Sequence, residues 1–228
     1  MDPHDHAKEL AARKALEYVE DGMVVGLGTG STAKHFIELI GARVKSGLKI
    51  RGITTSVASE RQAQSLGIPL IDFHQASAID VSVDGADEIA PGLALTKGGG
   101  GALLREKIVA SAAKKFIVVA DSSKIVKHLG KFPLPVEVIT MAAPLVAAKL
   151  SAMGIHPRVR QKPEGGDYVT DEGNLILDCA CGEILDPQSL ADKIRAIVGV
   201  VEHGLFLNMA DLAIVSSNSG DDLKILTK

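Results

Sequence analysis

Residues 26–32 (Gly-Leu-Gly-Thr-Gly-Ser-Thr) have the residue types of a phosphate-binding turn. They lie between an apolar run at 23–28 and a helical pattern at 31–45. Glycines let the backbone turn tightly and expose its N–H groups, the helix start adds partial positive charge, and Ser31 and Thr32 add hydroxyl donors. A dinucleotide fingerprint needs glycine at position 31 and a Walker A loop needs lysine before Ser31, so both are excluded. A purely structural turn is the alternative.

Residues 84–88 (Asp-Gly-Ala-Asp-Glu) place two acids after an apolar run at 79–83. Acids at the carboxyl end of a parallel strand lie where α/β sheets bind ligands. We therefore consider Asp84 and Asp87 ligand-binding candidates. A solvated acidic turn is the alternative, and so is a Mg²⁺ site, although no further ligand set is evident.

Lys97 precedes four consecutive glycines and a helical pattern that carries Glu106. Because such a run is entropically costly, it indicates close approach of the backbone to a ligand, with Lys97 expected at the rim. Glu106 lies about one turn into the helix, whose positive end favours the carboxylate form. The alternative for Glu106 is an ordinary solvated glutamate.

Residues 120–124 (Ala-Asp-Ser-Ser-Lys) end another apolar run. Lys124 is a candidate second phosphate contact, and an exposed loop lysine is the alternative. Cys179 and Cys181 lack the two-residue spacer of zinc or redox pairs. Proton transfer on a phosphorylated small molecule fits the four segments without a cofactor, so we expect neither a metal nor a cofactor.

Two patterns along the chain predict the scaffold for these segments. In the first, short apolar runs alternate with segments of helical spacing, which predicts a parallel sheet covered on both faces. The predicted strands are 23–28, 49–54, 69–72, 79–83, 93–96, 115–120 and 211–216, and the predicted helices are 7–19, 31–45, 56–66 and 101–113. The second pattern is β-α-β-β-α-β, with strands at 136–140, 157–161, 174–180 and 200–206 and helices at 143–153 and 187–198. The predicted class is α/β, with a Rossmann-like parallel-sheet domain at 1–131 and 207–228 and an inserted ferredoxin-like α+β domain at 132–206.

Composition excludes several classes of partner. The 228 residues carry 25 Lys+Arg and 28 Asp+Glu, a net charge of −3, with two Tyr, five Phe and no Trp. A nucleic-acid binder usually has a basic excess, so none is expected as a partner. No apolar run reaches membrane-spanning length, and acids stand at the N-terminus where a signal peptide is basic. We expect a soluble, cytoplasmic protein.

The four segments together closely resemble the type A ribose-5-phosphate isomerase family, and the resemblance covers residues 8–226. It rests on their order and spacing and on two further stretches, 131–137 and 204–206. Asn208 departs from the pattern, where a second glycine is expected. The resemblance implies interconversion of ribose 5-phosphate and ribulose 5-phosphate through an enediolate without a metal, by a homodimer or homotetramer.

The resemblance also implies a role for each site residue. Glu106 would be the general base, and Lys97 with the backbone of Gly98, Gly99 and Gly100 would stabilise the oxyanion. Asp84 and Asp87 would bind sugar hydroxyls and assist ring opening and proton movement between the sugar oxygens. The residues implied for the phosphate and for the rest of the substrate site are Thr29, Gly30, Ser31, Thr32, Gly85, Ala86, Lys124 and Lys8.

Two other functions stay open at this point. A non-catalytic sugar-phosphate sensor would need the phosphate turn but no base, and it usually accompanies a DNA-binding segment, which we do not find. An acyl-CoA transferase would use a glutamate on a related fold, but it needs an acyl-CoA site that the sequence does not show.

Overall fold

The structure, a computed structural model, describes residues 3–217 and 222–228. The strands in chain order are β1 (Val24–Leu27), β2 (Arg51–Thr54), β3 (Val81–Asp84), β4 (Glu88–Ala90), β5 (Ala94–Thr96), β6 (Phe116–Asp121), β7 (Leu134–Val138), β8 (His156–Val159), β9 (Leu175–Ala180), β10 (Val200–His203), β11 (Leu205–Phe206), β12 (Leu212–Ser216) and β13 (Leu223–Thr227). The helices are α1 (Pro3–Ala15), α2 (Ser31–Lys45), α3 (Val57–Ser65), α4 (Leu103–Ser111), α5 (Ala143–Ala152) and α6 (Pro187–Arg195). Within the described residues, no helix is long and apolar enough to cross a membrane.

A six-stranded sheet with the order β13-β12-β6-β3-β1-β2 carries the predicted ligand-binding turns. All its strands are parallel except β13, which pairs antiparallel with β12. Alternate side chains point to opposite faces, so Val25 and Leu27 pack under α1 and α2 while Val118 packs with Phe206 on the other face. Both faces are therefore covered, as the apolar runs predict.

A second, four-stranded sheet has the order β10-β7-β9-β8, with every neighbour antiparallel. Its core includes Val136, Leu177 and, from the two helices, Val146 and Ile194. The βαββαβ order and this strand order give a ferredoxin-like unit, so the predicted fold class is confirmed. A small sheet, β11-β5-β4, is built from strands that lie before and after this unit in the chain. We propose that the Rossmann-like domain comprises residues 1–131 and 207–228 and the ferredoxin-like domain residues 132–206.

Some predicted elements are wrong in detail. The run at 69–72 forms only one bridge, from Leu70 to Gly52, and no strand. The predicted strand at 200–206 is interrupted at Gly204 and divides between two sheets as β10 and β11. The strands β4 and β13 were not predicted; β13 is mostly exposed and lacks a clear apolar alternation.

Candidate active site

The four segments meet at the carboxyl edge of the parallel sheet. The strands β1, β3 and β6 are neighbours, so the turns that follow them share this edge. A pocket here is lined by Thr29, Gly30, Ser31, Thr32, Gly85, Ala86, Asp87, Lys97, Gly98, Gly99, Gly100, Glu106 and Lys124. Asp84 lies behind this lining, and Lys8, on α1, is outside it. The structure thus brings most of the predicted site residues to one pocket.

Asp84 ends β3 and is fully engaged with its neighbours. One oxygen, Oδ1, accepts hydrogen bonds from the backbone N–H groups of Thr29 (2.9 Å) and Gly85 (2.8 Å). The other, Oδ2, lies 3.1 Å from the Lys97 Nζ. A Cβ on residue 28 would overlap the Asp84 carboxylate, which explains the glycine there. This geometry makes Asp84 a support for Lys97 and for the phosphate turn.

Lys97 is buried, with 2% of its surface exposed, so its predicted place at the rim is wrong. It follows β5, which pairs with β11, and Nζ donates to the Gly85 carbonyl (2.6 Å). Nζ also lies 3.4 Å from Glu106 Oε1. Burial disfavours the charged amine, but the Asp84 and Glu106 carboxyl groups outweigh that effect and raise the pKa of Lys97. The lysine is therefore a fixed cation inside the pocket wall.

Glu106 lies in the first turn of α4, as predicted, and only 4% of its surface is exposed. Its Oε1 accepts from Lys97, while Oε2 is buried and has no hydrogen-bond partner among the described residues. Burial raises the pKa of Glu106 to about 8, and Lys97 only partly offsets this. The helix end was expected to favour the ionised form, but burial favours the neutral form and shifts the pKa of Glu106 upwards.

We expect kcat/KM to rise with pH through a midpoint near 8. A base must be deprotonated to act, so the rate should increase about tenfold between pH 7 and pH 9. No falling limb is expected there, because the pKa of Lys97 is raised above its usual value of 10.5. Initial rates from pH 7 to 9.5 test this, a range in which a phosphate monoester with its second pKa of about 6 is mostly dianionic. A flat profile would contradict it.

The residues 98–101, here called the glycine loop, present backbone amides to the pocket. The Gly99 N–H donates to Asp87 Oδ2 (2.7 Å), and a Cβ on Gly99 would lie 2.5 Å from Asp87 Oδ1. The Gly101 N–H donates to the Gly98 carbonyl (2.9 Å). Among the described residues the Gly98 and Gly100 amides have no protein acceptor. Burial raises the pKa of Asp87, more than the Gly99 amide and nearby cations lower it.

The opposite end of the pocket is suited to an anion. Helix α2 begins at Ser31, and its N-cap Gly30 offers no side chain to cap the first amides. These amides are therefore open to an anion. The Thr29 hydroxyl instead contacts three neighbouring hydroxyls, those of Thr55, Ser56 and Ser59. Lys124 ends the short 3₁₀ turn after β6 and lines this end of the pocket.

Three side chains that contact the site were not predicted. Arg160 donates to the carbonyls of Gly98 and Gly99, and the Tyr168 hydroxyl donates to that of Gly100. The Phe206 ring lies 5.4 Å from Lys97 Nζ. Arg160 and Tyr168 belong to the ferredoxin-like unit, and no local sequence pattern connects them with the glycine loop.

Fold and pocket together define an α/β enzyme in which a buried carboxyl–lysine pair shares one pocket with helix-start amides suited to an anion. Residues 51–220 match the family model described as ribose 5-phosphate isomerase A (phosphoriboisomerase A). The chain belongs to this family.

Relatives and solved structures agree along nearly the whole chain. It is 50% identical over 209 residues to ribose-5-phosphate isomerase A of Sphingopyxis alaskensis, covering 92% of this chain and 91% of that protein. It is 51% identical over 216 residues to that of Shouchella clausii, covering 95% and 94%. A D-ribose-5-phosphate isomerase solved with phospho-erythronic acid superposes with a TM-score of 0.95 at 40% identity, covering 99% of each chain. The Neisseria gonorrhoeae ribose 5-phosphate isomerase A gives 0.91 at 43% identity, covering 100% and 98%.

Proposed function

We propose that this protein interconverts ribose 5-phosphate and ribulose 5-phosphate by proton transfer through an enediolate. The observation that carries the proposal is Glu106, a buried carboxyl group with one oxygen unpartnered, beside Lys97 in a pocket with an anion-binding end. Family membership supplies the substrate. A sensor would need no such carboxyl group, and nothing in the pocket favours that alternative.

The arrangement assigns one end of the substrate to each end of the pocket. We place the phosphate at the first turn of α2, with Lys124, and the reacting carbons beside Glu106. Glu106 Oε2 takes the proton from C2 of the open-chain aldose and returns it to C1, while the proton of the C2 hydroxyl passes to the C1 oxygen. The charge that develops on the sugar oxygen is stabilised by Lys97 and by the open amide of Gly100, both preorganised by the fold.

The two aspartates divide the remaining roles. Both Asp84 oxygens are occupied by Thr29, Gly85 and Lys97, which supports a role in positioning Lys97. Asp87 lines the pocket and uses only Oδ2 for Gly99, so we assign contact with the sugar hydroxyls and assistance to ring opening to Asp87.

The direct test is formation of ribulose 5-phosphate from ribose 5-phosphate by the purified protein. Exchange of the C2 hydrogen with solvent deuterium should accompany turnover if an enediolate forms. Absence of both would refute the proposal, and product formation without any exchange would point to direct hydride transfer.

Replacing Lys124 with alanine is expected to raise KM about tenfold or more, with a smaller fall in kcat. A charge-assisted contact to a phosphate contributes about 1.5–3 kcal/mol, and the phosphate is remote from the reacting carbons. Steady-state kinetics with ribose 5-phosphate measure this. Lys127→Ala, an exposed lysine outside the pocket lining, is the control and should leave KM unchanged. An unchanged KM in Lys124→Ala would place this lysine outside the site.

Activity is expected to survive removal of divalent metals. The described residues contain no group of three or more His, Cys, Asp or Glu arranged to hold a metal ion. Lys97 and backbone amides can stabilise an enediolate directly. Rates should be equal before and after dialysis against a strong chelator. A loss that added Mg²⁺ or Zn²⁺ restores would contradict this prediction.

We also propose a homodimer or homotetramer that acts in the cytoplasm. The ferredoxin-like unit exposes apolar side chains at neighbouring positions, Ile139, Met141, Leu145 and Val198. Exposed apolar clusters of this kind favour association. Light scattering coupled to gel filtration measures the mass in solution.

A further inference from the structure

The glycine loop is held from outside by the ferredoxin-like unit. Arg160 Nη1 donates to the carbonyls of Gly98 (3.0 Å) and Gly99 (3.1 Å). The Tyr168 hydroxyl lies 3.4 Å from the Gly100 carbonyl, so three successive carbonyls point towards this unit. A loop of four glycines has little intrinsic preference for this conformation, so an external constraint must select it.

The orientation of these carbonyls determines where the loop amides point. In a trans peptide the C=O and the following N–H point in opposite directions. With its carbonyl on Arg160, the Gly98–Gly99 peptide directs the Gly99 N–H to Asp87, as observed. The Gly99–Gly100 peptide has the same constraint, so the Gly100 N–H points away from Arg160. Gly100 lines the pocket, and its N–H has no protein acceptor among the described residues.

Arg160 is itself fixed. Its Nε donates to Asp178 Oδ2 (2.9 Å) and its Nη2 to Oδ1 (2.6 Å), a two-bond pair with the carboxylate on β9. The Arg160 side chain is 13% exposed, and its guanidinium lies 5.8 Å from the Tyr168 ring centroid. This pairing leaves Nη1 directed at the loop. A lysine at this position could not make both contacts, because only a guanidinium presents its donors in a rigid fork.

We propose that Arg160, held by Asp178, is a positioning residue that sets the glycine loop so that the Gly100 amide receives the charge developing on the substrate. This rests on the function proposed above and extends it to the ferredoxin-like unit, which contributes no side chain to the pocket lining. Loss of Arg160 leaves Glu106, Lys97 and the phosphate end in place and removes only the alignment of the loop.

Arg160→Met should lower kcat about 10–100-fold, because a misaligned oxyanion donor loses most of its effect. KM for ribose 5-phosphate should change less than about threefold, since the phosphate binds at α2 and Lys124. The pH midpoint should stay where it is in the wild type, because Glu106 and Lys97 are untouched. Arg160→Lys and Asp178→Asn keep part of the arrangement, so their kcat should fall less. These two variants take the place of Arg160→Met if Arg160→Met does not fold. Arg158→Met, an exposed arginine on β8 two residues before Arg160, is the matched control and should behave as wild type.

Binding separates this inference from the proposed reaction. Phospho-erythronic acid carries a carboxylate at the reacting end, so Arg160→Met should bind it about tenfold more weakly in calorimetry, while inorganic phosphate binds as to the wild type. If the wild type does not isomerise ribose 5-phosphate but binds the acid in this Arg160-dependent way, the reaction is wrong and the positioning role stands. If the wild type is active and Arg160→Met matches it in kcat and in affinity for the acid, the positioning role is refuted. A shifted pH midpoint in Arg160→Met would also refute it, since the effect would then reach Glu106.

Discussion

Replacing Glu106 with glutamine is expected to lower kcat by about 10²–10⁴-fold, or roughly 3–5 kcal/mol in the barrier. Glutamine keeps the size of the side chain and its contact with Lys97 but lacks the basic oxygen. The unpartnered Oε2 is the atom that the reaction needs. Among the described residues that line the pocket, no other carboxyl group has a buried free oxygen beside Lys97.

Substrate binding should survive in Glu106→Gln, because the phosphate and hydroxyl contacts lie elsewhere. Calorimetry with phospho-erythronic acid should give near-normal affinity, and exchange of the C2 hydrogen with solvent should slow in parallel with kcat. Glu137→Gln is the control, since Glu137 is buried, accepts from Thr170 and Asn174, and does not line the pocket. If Glu106→Gln keeps more than about a tenth of wild-type kcat, the base is another residue, and Asp87 is the first to test.

Replacing Lys97 with methionine is expected to lower kcat by about 10²–10³-fold and to destabilise the fold. The developing oxyanion loses its buried cation. The buried Asp84 and Glu106 carboxyl groups then lack their countercharge. Removal of one partner of a buried ion pair costs about 3–5 kcal/mol of the free energy of unfolding. The same loss raises the pKa of Glu106 further, so the midpoint of the pH profile should move upwards.

Lys107→Met is the matched control for this variant. Lys107 is the other buried lysine of the described chain, and it donates to Glu202 and to the carbonyls of His203 and Leu205, outside the pocket lining. It should lose stability in urea unfolding but keep kcat within about threefold and the wild-type pH midpoint. If Lys97→Met kept kcat within tenfold and the same midpoint, Lys97 would be a structural lysine like Lys107.

Several features of the site were predictable because they depend on local sequence. The phosphate turn at 26–32, the acids at 84–88 and Lys124 each follow an apolar run that became a strand, and parallel neighbours put such turns at one edge. The βαββαβ order likewise followed from alternating apolar and helical patterns. The prediction of a strand at 69–72 was wrong because a short apolar run does not by itself supply a hydrogen-bonding partner along its length.

The environment of the charged groups was decided by tertiary structure. The sequence identified Lys97 and Glu106, but it predicted that Lys97 lies at the rim of the site and that Glu106 is ionised. The pairing of β5 with β11 buries Lys97, and the packing of α4 buries Glu106, so desolvation determines the pKa of the carboxyl group. Neither strand pairing nor burial is visible in the residues adjacent to these two positions.

The amino-acid sequence by itself therefore determined the order of the elements, the turns that carry the ligand-binding residues, and the resemblance to the family. Only the tertiary structure placed Arg160, which is held by Asp178, against the glycine loop more than sixty residues away in the chain. The physical reason is the distance along the chain over which each effect acts. Periodicity, capping and turn chemistry depend on residues that are near one another in sequence, whereas desolvation and contacts between units depend on which distant segments pack together.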